Sequence, residues 1–174
     1  MTAAAGRGGS GGVAAEAEPA ARGQPIPPAA LWLGAAGLLP FAAGTLGVWL
    51  LPPFWAGEAL DAQCFYAAVI LSFLGAVHWG LAIGGFGAAP AASWPRLAWS
   101  VVPALVGWAA QLTSEVPSLV ILILGFAGVL CGDLAAARRG LVPAWYPSLR
   151  WPLSAAVIVL LAGSLAKVLA AGAS

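Results

Sequence analysis

One histidine, one aspartate and two arginines are the residues of this chain best suited to chemistry in apolar surroundings: His78, Asp133, Arg96 and Arg150. A carboxylate beside a guanidinium forms a charge-assisted pair, and an imidazole next to either can donate a hydrogen bond or pass a proton. Each of the four sits in or beside a long uncharged run. An isolated charge there costs ~2.5–3.5 kcal/mol at a helix centre and so finds a partner. The sequence predicts a polar cluster in which Asp133 pairs with Arg96 or Arg150 and His78 bonds nearby. Plainer roles compete with this one. His78 can serve as a neutral donor between helices, and Asp133, followed by Arg138 and Arg139, can mark a helix end reaching water. No His/Cys/Asp set has metal-ligand spacing, and Cys64 and Cys131 alone build neither a disulfide framework nor a zinc site. Phosphate-binding loops, dinucleotide fingerprints and HExxH motifs are missing from the sequence. No cofactor, metal or catalytic residue is assigned, and the expectation is a protein that is not an enzyme.

The elements that position these residues follow from composition. Of 174 residues, 61% are hydrophobic and 7% charged, with a mean hydropathy of +0.94. Soluble domains carry about 25% charged residues, so a soluble globular fold is excluded. The formal net charge of +1 likewise gives no basic stripe for nucleic acid. Uncharged runs cover residues 23–57, 62–95, 97–114, 116–132 and 151–166. Runs of about 17–25 apolar residues match the thickness of a bilayer core. The predicted fold is all-α, an integral membrane bundle of five transmembrane helices over residues 29–170, at about 29–51, 64–85, 96–113, 117–134 and 151–169. Pro40 should kink the first helix, and a tight turn at 114–116 makes the third and fourth antiparallel neighbours. Residues 1–28, rich in Gly, Ala and Pro, read as a disordered cytoplasmic tail.

Five crossings put Arg7, Arg22, Arg96, Arg138, Arg139 and Arg150 on one side and leave only Lys167 on the other. The positive-inside rule then predicts a cytoplasmic N-terminus and an outer C-terminus. Trp94, Trp145, Tyr146 and Trp151 become interface anchors on the cytoplasmic side. Cys64 and Cys131 fall at opposite ends of their helices, too far apart for a mutual disulfide. On the second helix Ala68, Ser72, Ala76, Gly80 and Gly84 recur every four residues, a small-residue stripe suited to close helix packing, with Gly125, Gly128 and Gly132 as a facing surface. Thr45, Gln111 and Ser164 read as isolated polar residues.

The stretch Tyr66–Ala82, with Ser72-Phe73-Leu74-Gly75 and His78-Trp79-Gly80, resembles the domain of unknown function 3429 family. So do Arg96 with Trp99-Ser100-Val101-Val102-Pro103 and Trp108, then Asp133, then Pro143 with Trp145-Tyr146 and Leu149-Arg150, and Leu39-Pro40-Phe41. The resemblance covers residues 30–168. It implies a five-helix protein of the bacterial inner membrane, or of the mitochondrial one in a eukaryote, and carries over no catalytic residue. The leading expectation is a multi-pass, non-enzymatic subunit, scaffold or assembly factor in contact with lipid and with other membrane proteins or a second copy of itself. The alternative is a small proton- or ion-coupled transporter working through the His/Asp/Arg cluster. A pathway of that kind needs polar groups through the full depth of the membrane.

Overall fold

Prolines set the first helix boundaries. The computed structural model describes residues 25–87, 90 and 92–172, so the expected disordered tail lies almost wholly outside the described residues. Pro28 opens α1 (Pro28–Ala36), and α2 (Leu39–Leu50) follows after a break at Gly37 and Leu38. Pro40 has no N–H to offer the carbonyl four residues back, and its ring crowds that carbonyl. The carbonyl belongs to Ala36, where α1 ends. The expected kink is thus a full interruption one turn upstream of Pro40. There the Tyr66 hydroxyl donates to the Gly37 carbonyl at 3.2 Å.

The next helix, α3, runs unbroken over Pro53–Ile83 and starts eleven residues before the predicted Cys64. Pro53 is tolerated in its first turn, where the N–H would lack a partner in any case. Glu58 and Asp61 are exposed in the first turns of this helix. α4 (Trp94–Ala110), α5 (Glu115–Arg138) and α6 (Tyr146–Gly172) complete the chain. α6 also begins earlier than its predicted start at Trp151, because Pro147 falls in its first turn. Arg150 is therefore inside this helix and not ahead of it.

Among the described residues all regular structure is helical. The stretches Pro28–Leu50, Pro53–Ile83, Glu115–Arg138 and Tyr146–Gly172 are long and apolar enough to cross a membrane. α4 has 17 residues, about 25 Å. Leu33 and Leu50 are each 75% exposed, while Gln63, Asp133 and Ser164 are at most 1% exposed. Apolar side chains outside and polar ones inside are the reverse of a soluble surface, and the chain is a membrane protein.

The centre of the bundle is filled by Phe41, Leu71, Leu74, Leu122, Phe126, Val157 and Leu161. Phe41 meets Tyr66 and Phe126 edge to face, at centroid distances of 5.1 and 5.8 Å. α3 and α4 approach closely at Gly75, where a Cβ would run into the Ser100 carbonyl, and at Gly107, which faces Ala68. The predicted small-residue stripe is not the face that does this. Leu71, Leu74, Gly75 and Ala82 face inward, whereas Ser72, Ala76, Gly80 and Gly84 lie about one residue step, 100°, around the helix and are exposed. Ala68 of that stripe meets Gly107, whereas a Cβ at Gly80 would meet nothing within 4 Å among the described residues. The predicted facing surface divides likewise: Gly125 lies against Leu71 and Val106, Gly132 against Trp99, and Gly128 is open.

Candidate functional site

Asp133 is wholly buried near the C-terminal end of α5 and holds two helices at once. Its Oδ1 accepts from His78 Nε2 on α3 at 2.7 Å, and its Oδ2 accepts from Arg150 Nε on α6 at 2.8 Å. With the carboxylate ionised, as its pairing with Arg150 favours, His78 Nε2 is the donor of this bond. Burial strengthens both bonds and also makes either one costly to break. Asp133 thus lies between two cavities. His78 borders one of about 430 Å³ together with Arg96, Trp99, Cys131 and Arg139. Arg150 borders the other, about 500 Å³ and almost entirely apolar.

The structure brings His78, Asp133 and Arg150 into contact, and of the two predicted arginines it is Arg150 that pairs. Arg96 is placed differently. Its Nη2 donates to the Phe86 carbonyl at 2.9 Å and, more weakly, to the Leu81 carbonyl at 3.4 Å, closing the end of α3. Terminal carbonyls of a helix have no partner within it, and a cation there meets the negative end of the helix dipole. The matching end of α5 is closed by backbone alone. Gly140, at φ +65°, lets Leu141 N–H reach the Ala136 carbonyl at 2.9 Å and its own N–H reach Ala137 at 3.0 Å.

The four predicted anchors separate. Trp94 and Trp151 are 87% and 60% exposed, and Trp145 is half-buried. Tyr146 is not an exposed anchor. It is buried against Trp145, edge to face at 6.0 Å, because α6 begins at Tyr146 and turns it inward. Cys64 is buried, Cys131 is exposed, and both are free thiols. Among the described residues no three His, Cys, Asp or Glu side chains are grouped to hold a metal.

A second polar cluster was not visible in the sequence. Gln63 Nε2 donates to the Phe41 carbonyl at 3.0 Å and to Thr45 Oγ1 at 2.9 Å, and Ser164 Oγ donates to Gln63 Oε1 at 2.7 Å. Thr45 also reaches the Leu160 carbonyl at 3.0 Å. Thr45 and Ser164 are therefore not isolated, and Gln111 donates to the Cys64 carbonyl at 3.1 Å. Gln63 escaped notice because the predicted helix began one residue after it. Just beyond, Trp49 Nε1 donates to the Gly163 carbonyl and Lys167 sits 5.4 Å from the Trp49 ring centroid. Gln63 and His78 are fifteen residues apart on α3, about 22 Å, with the apolar core between them.

Residues 26–166 match the family model described as Protein of unknown function (DUF3429). Transmembrane protein 69 of Xenopus tropicalis is 38% identical over 141 residues, covering 80% of this chain and 54% of that protein. The chain thus spans about half the length of this relative. No solved structure matches it. The chain belongs to the DUF3429 family.

Proposed function

We propose that this DUF3429 protein is a non-enzymatic, multi-pass membrane subunit or scaffold that packs against other membrane proteins. The observation that carries this reading is the open small-residue face of α3. Ser72, Ala76, Gly80 and Gly84 are exposed, while His78, Asp133, Gln63 and Ser164 inside the bundle are engaged with partners of this chain. Without a hydrophobic drive between helices in lipid, close backbone approach at small residues is a main source of association. In this reading α1 and α2 form one broken span, α4 is a fifth crossing, and the arginine-rich end bearing His78 faces the cytoplasm or matrix. The bacterial inner membrane, or the mitochondrial inner membrane in a eukaryote, is the corresponding location.

Photocrosslinking from Ala76 and Gly80 in intact membranes tests this. A stoichiometric protein adduct at these two positions, weaker from the opposite, inward-facing side, is the expected result. Adducts to lipid alone would overturn it.

The transporter reading has one observation in its favour: His78 borders the cavity that also holds Arg96 and Arg139, and Asp133 lies directly behind it. Against it stands the largely apolar core between the two polar clusters, built around Phe41, Leu71, Leu122, Phe126 and Leu161. A pH-gradient-driven flux in proteoliposomes, lost in His78→Ala and kept in Thr45→Ala, would favour it over the scaffold.

A further inference from the structure

Three polar side chains on α6 recur every four residues: Tyr146, Arg150 and Ser154. This spacing aligns them on one face of the helix, and all three line the cavity of about 500 Å³. They are 7%, 7% and 1% exposed, and Tyr146 Oη, Arg150 Nη2 and Ser154 Oγ have no hydrogen-bond partner. Buried donors without acceptors are costly and rare, and three on one wall of a single cavity are a site built to meet an acceptor. The remaining wall is apolar, with Leu33, Phe41, Phe73, Leu74 and Leu153 among its residues. A cavity of this size, mostly apolar with a few convergent polar groups, is typical of small-molecule sites.

Charge narrows the ligand. Asp133 already compensates Arg150, so an anionic head would bring an unbalanced charge into a low-dielectric interior. An uncharged oxygen acceptor has no such penalty. Access is lateral, since Leu33 and Phe73 line the cavity yet are 75% and 61% exposed, on the apolar exterior. The wall carrying Leu33 is α1, which has no buried residue of its own and meets α6 where Gly34 lies against Leu153 and Leu149.

We propose that this cavity binds an uncharged, lipid-soluble molecule with an apolar body and a carbonyl-type oxygen head. The head accepts hydrogen bonds from Arg150, Tyr146 and Ser154, the body lies along Leu33, Phe73 and Leu153, and entry is from the hydrocarbon phase beside α1. The site does not depend on the scaffold reading, which concerns the small residues Ser72, Ala76, Gly80 and Gly84 of α3, none of which lines this cavity.

The test uses the full chain in nanodiscs and a diazirine-bearing long-chain methyl ketone as photoprobe. Saturable labelling at Leu33, Phe73 or Leu153 is expected, competed by 2-tridecanone at least tenfold better than by n-tridecane. Tyr146→Phe with Ser154→Ala removes two oxygens that have no partner in the protein, so the fold tolerates the change. In that double variant the ketone's advantage over the alkane should fall about tenfold, with the thermal midpoint unchanged or raised. Competition by the alkane equal to that of the ketone, or an undiminished ketone advantage in the double variant, would overturn the proposal. Dodecanoate competing better than the ketone would overturn the uncharged head.

Discussion

At one end of the bundle an aspartate holds a histidine and an arginine; at the other a glutamine holds a threonine and a serine. Both clusters join three helices, and both bury polar groups in a body that is largely hydrocarbon. They differ in what remains when one member is lost. Around Gln63 the survivors are neutral and can turn to nearby carbonyls. Around Asp133 the survivor is a buried guanidinium with nothing to balance it. Neutral clusters hold helices together at small risk, whereas ionic ones fix a unique arrangement and are severe when broken.

That contrast predicts an order of damage. Asp133→Ala should be the worst, destabilising the bundle by about 3–5 kcal/mol in SDS-driven unfolding followed by tryptophan fluorescence, because Arg150 is left buried and unpaired. If it unfolds no more readily than a glutamine variant, the ionic end is not special. His78→Leu leaves the Asp133–Arg150 pair intact and removes one bond to a charged acceptor, so a loss of about 1.5–3 kcal/mol is expected by the same assay. Gln63→Leu should cost about 1–2 kcal/mol, in line with interhelical hydrogen bonds in membranes. A double-mutant cycle with Ser164→Ala should return a coupling well below that of the Asp133–Arg150 pair. Lys167→Met, which removes only the cation–π contact at the same end, should shift the midpoint by about 1 kcal/mol or less.

The ionic end could be read in the sequence because charge is scarce there. In a chain this apolar, His78, Asp133 and Arg150 stand out, and the depth of each along its run brings them to one level. Which arginine would pair could not be read. Arg96 lies at a similar depth, and only the packing of α4 on α3 at Gly75 turns its guanidinium to the end of α3. The neutral end was hidden for a different reason. Gln63, Thr45 and Ser164 carry no charge to attract notice, and the charged residues between the uncharged runs 23–57 and 62–95 hide the start of α3 at Pro53. The face of α3 was misjudged because small residues mark where a helix can pack, not which neighbour it packs on; Gly75 serves α4, and Gly80 meets no described residue.

The apolar core between the two clusters has an electrical consequence. In an energised bilayer, voltage falls mainly across material that neither water nor charge enters, and one elementary charge crossing it is worth about 2.3 kcal/mol per 100 mV. Phe41, Leu71, Leu122, Phe126 and Leu161 form an apolar layer between Asp133 and Gln63, so in a spanning orientation the two clusters would sit at different potentials. A charge moved from one cluster to the other would then have to work against that voltage.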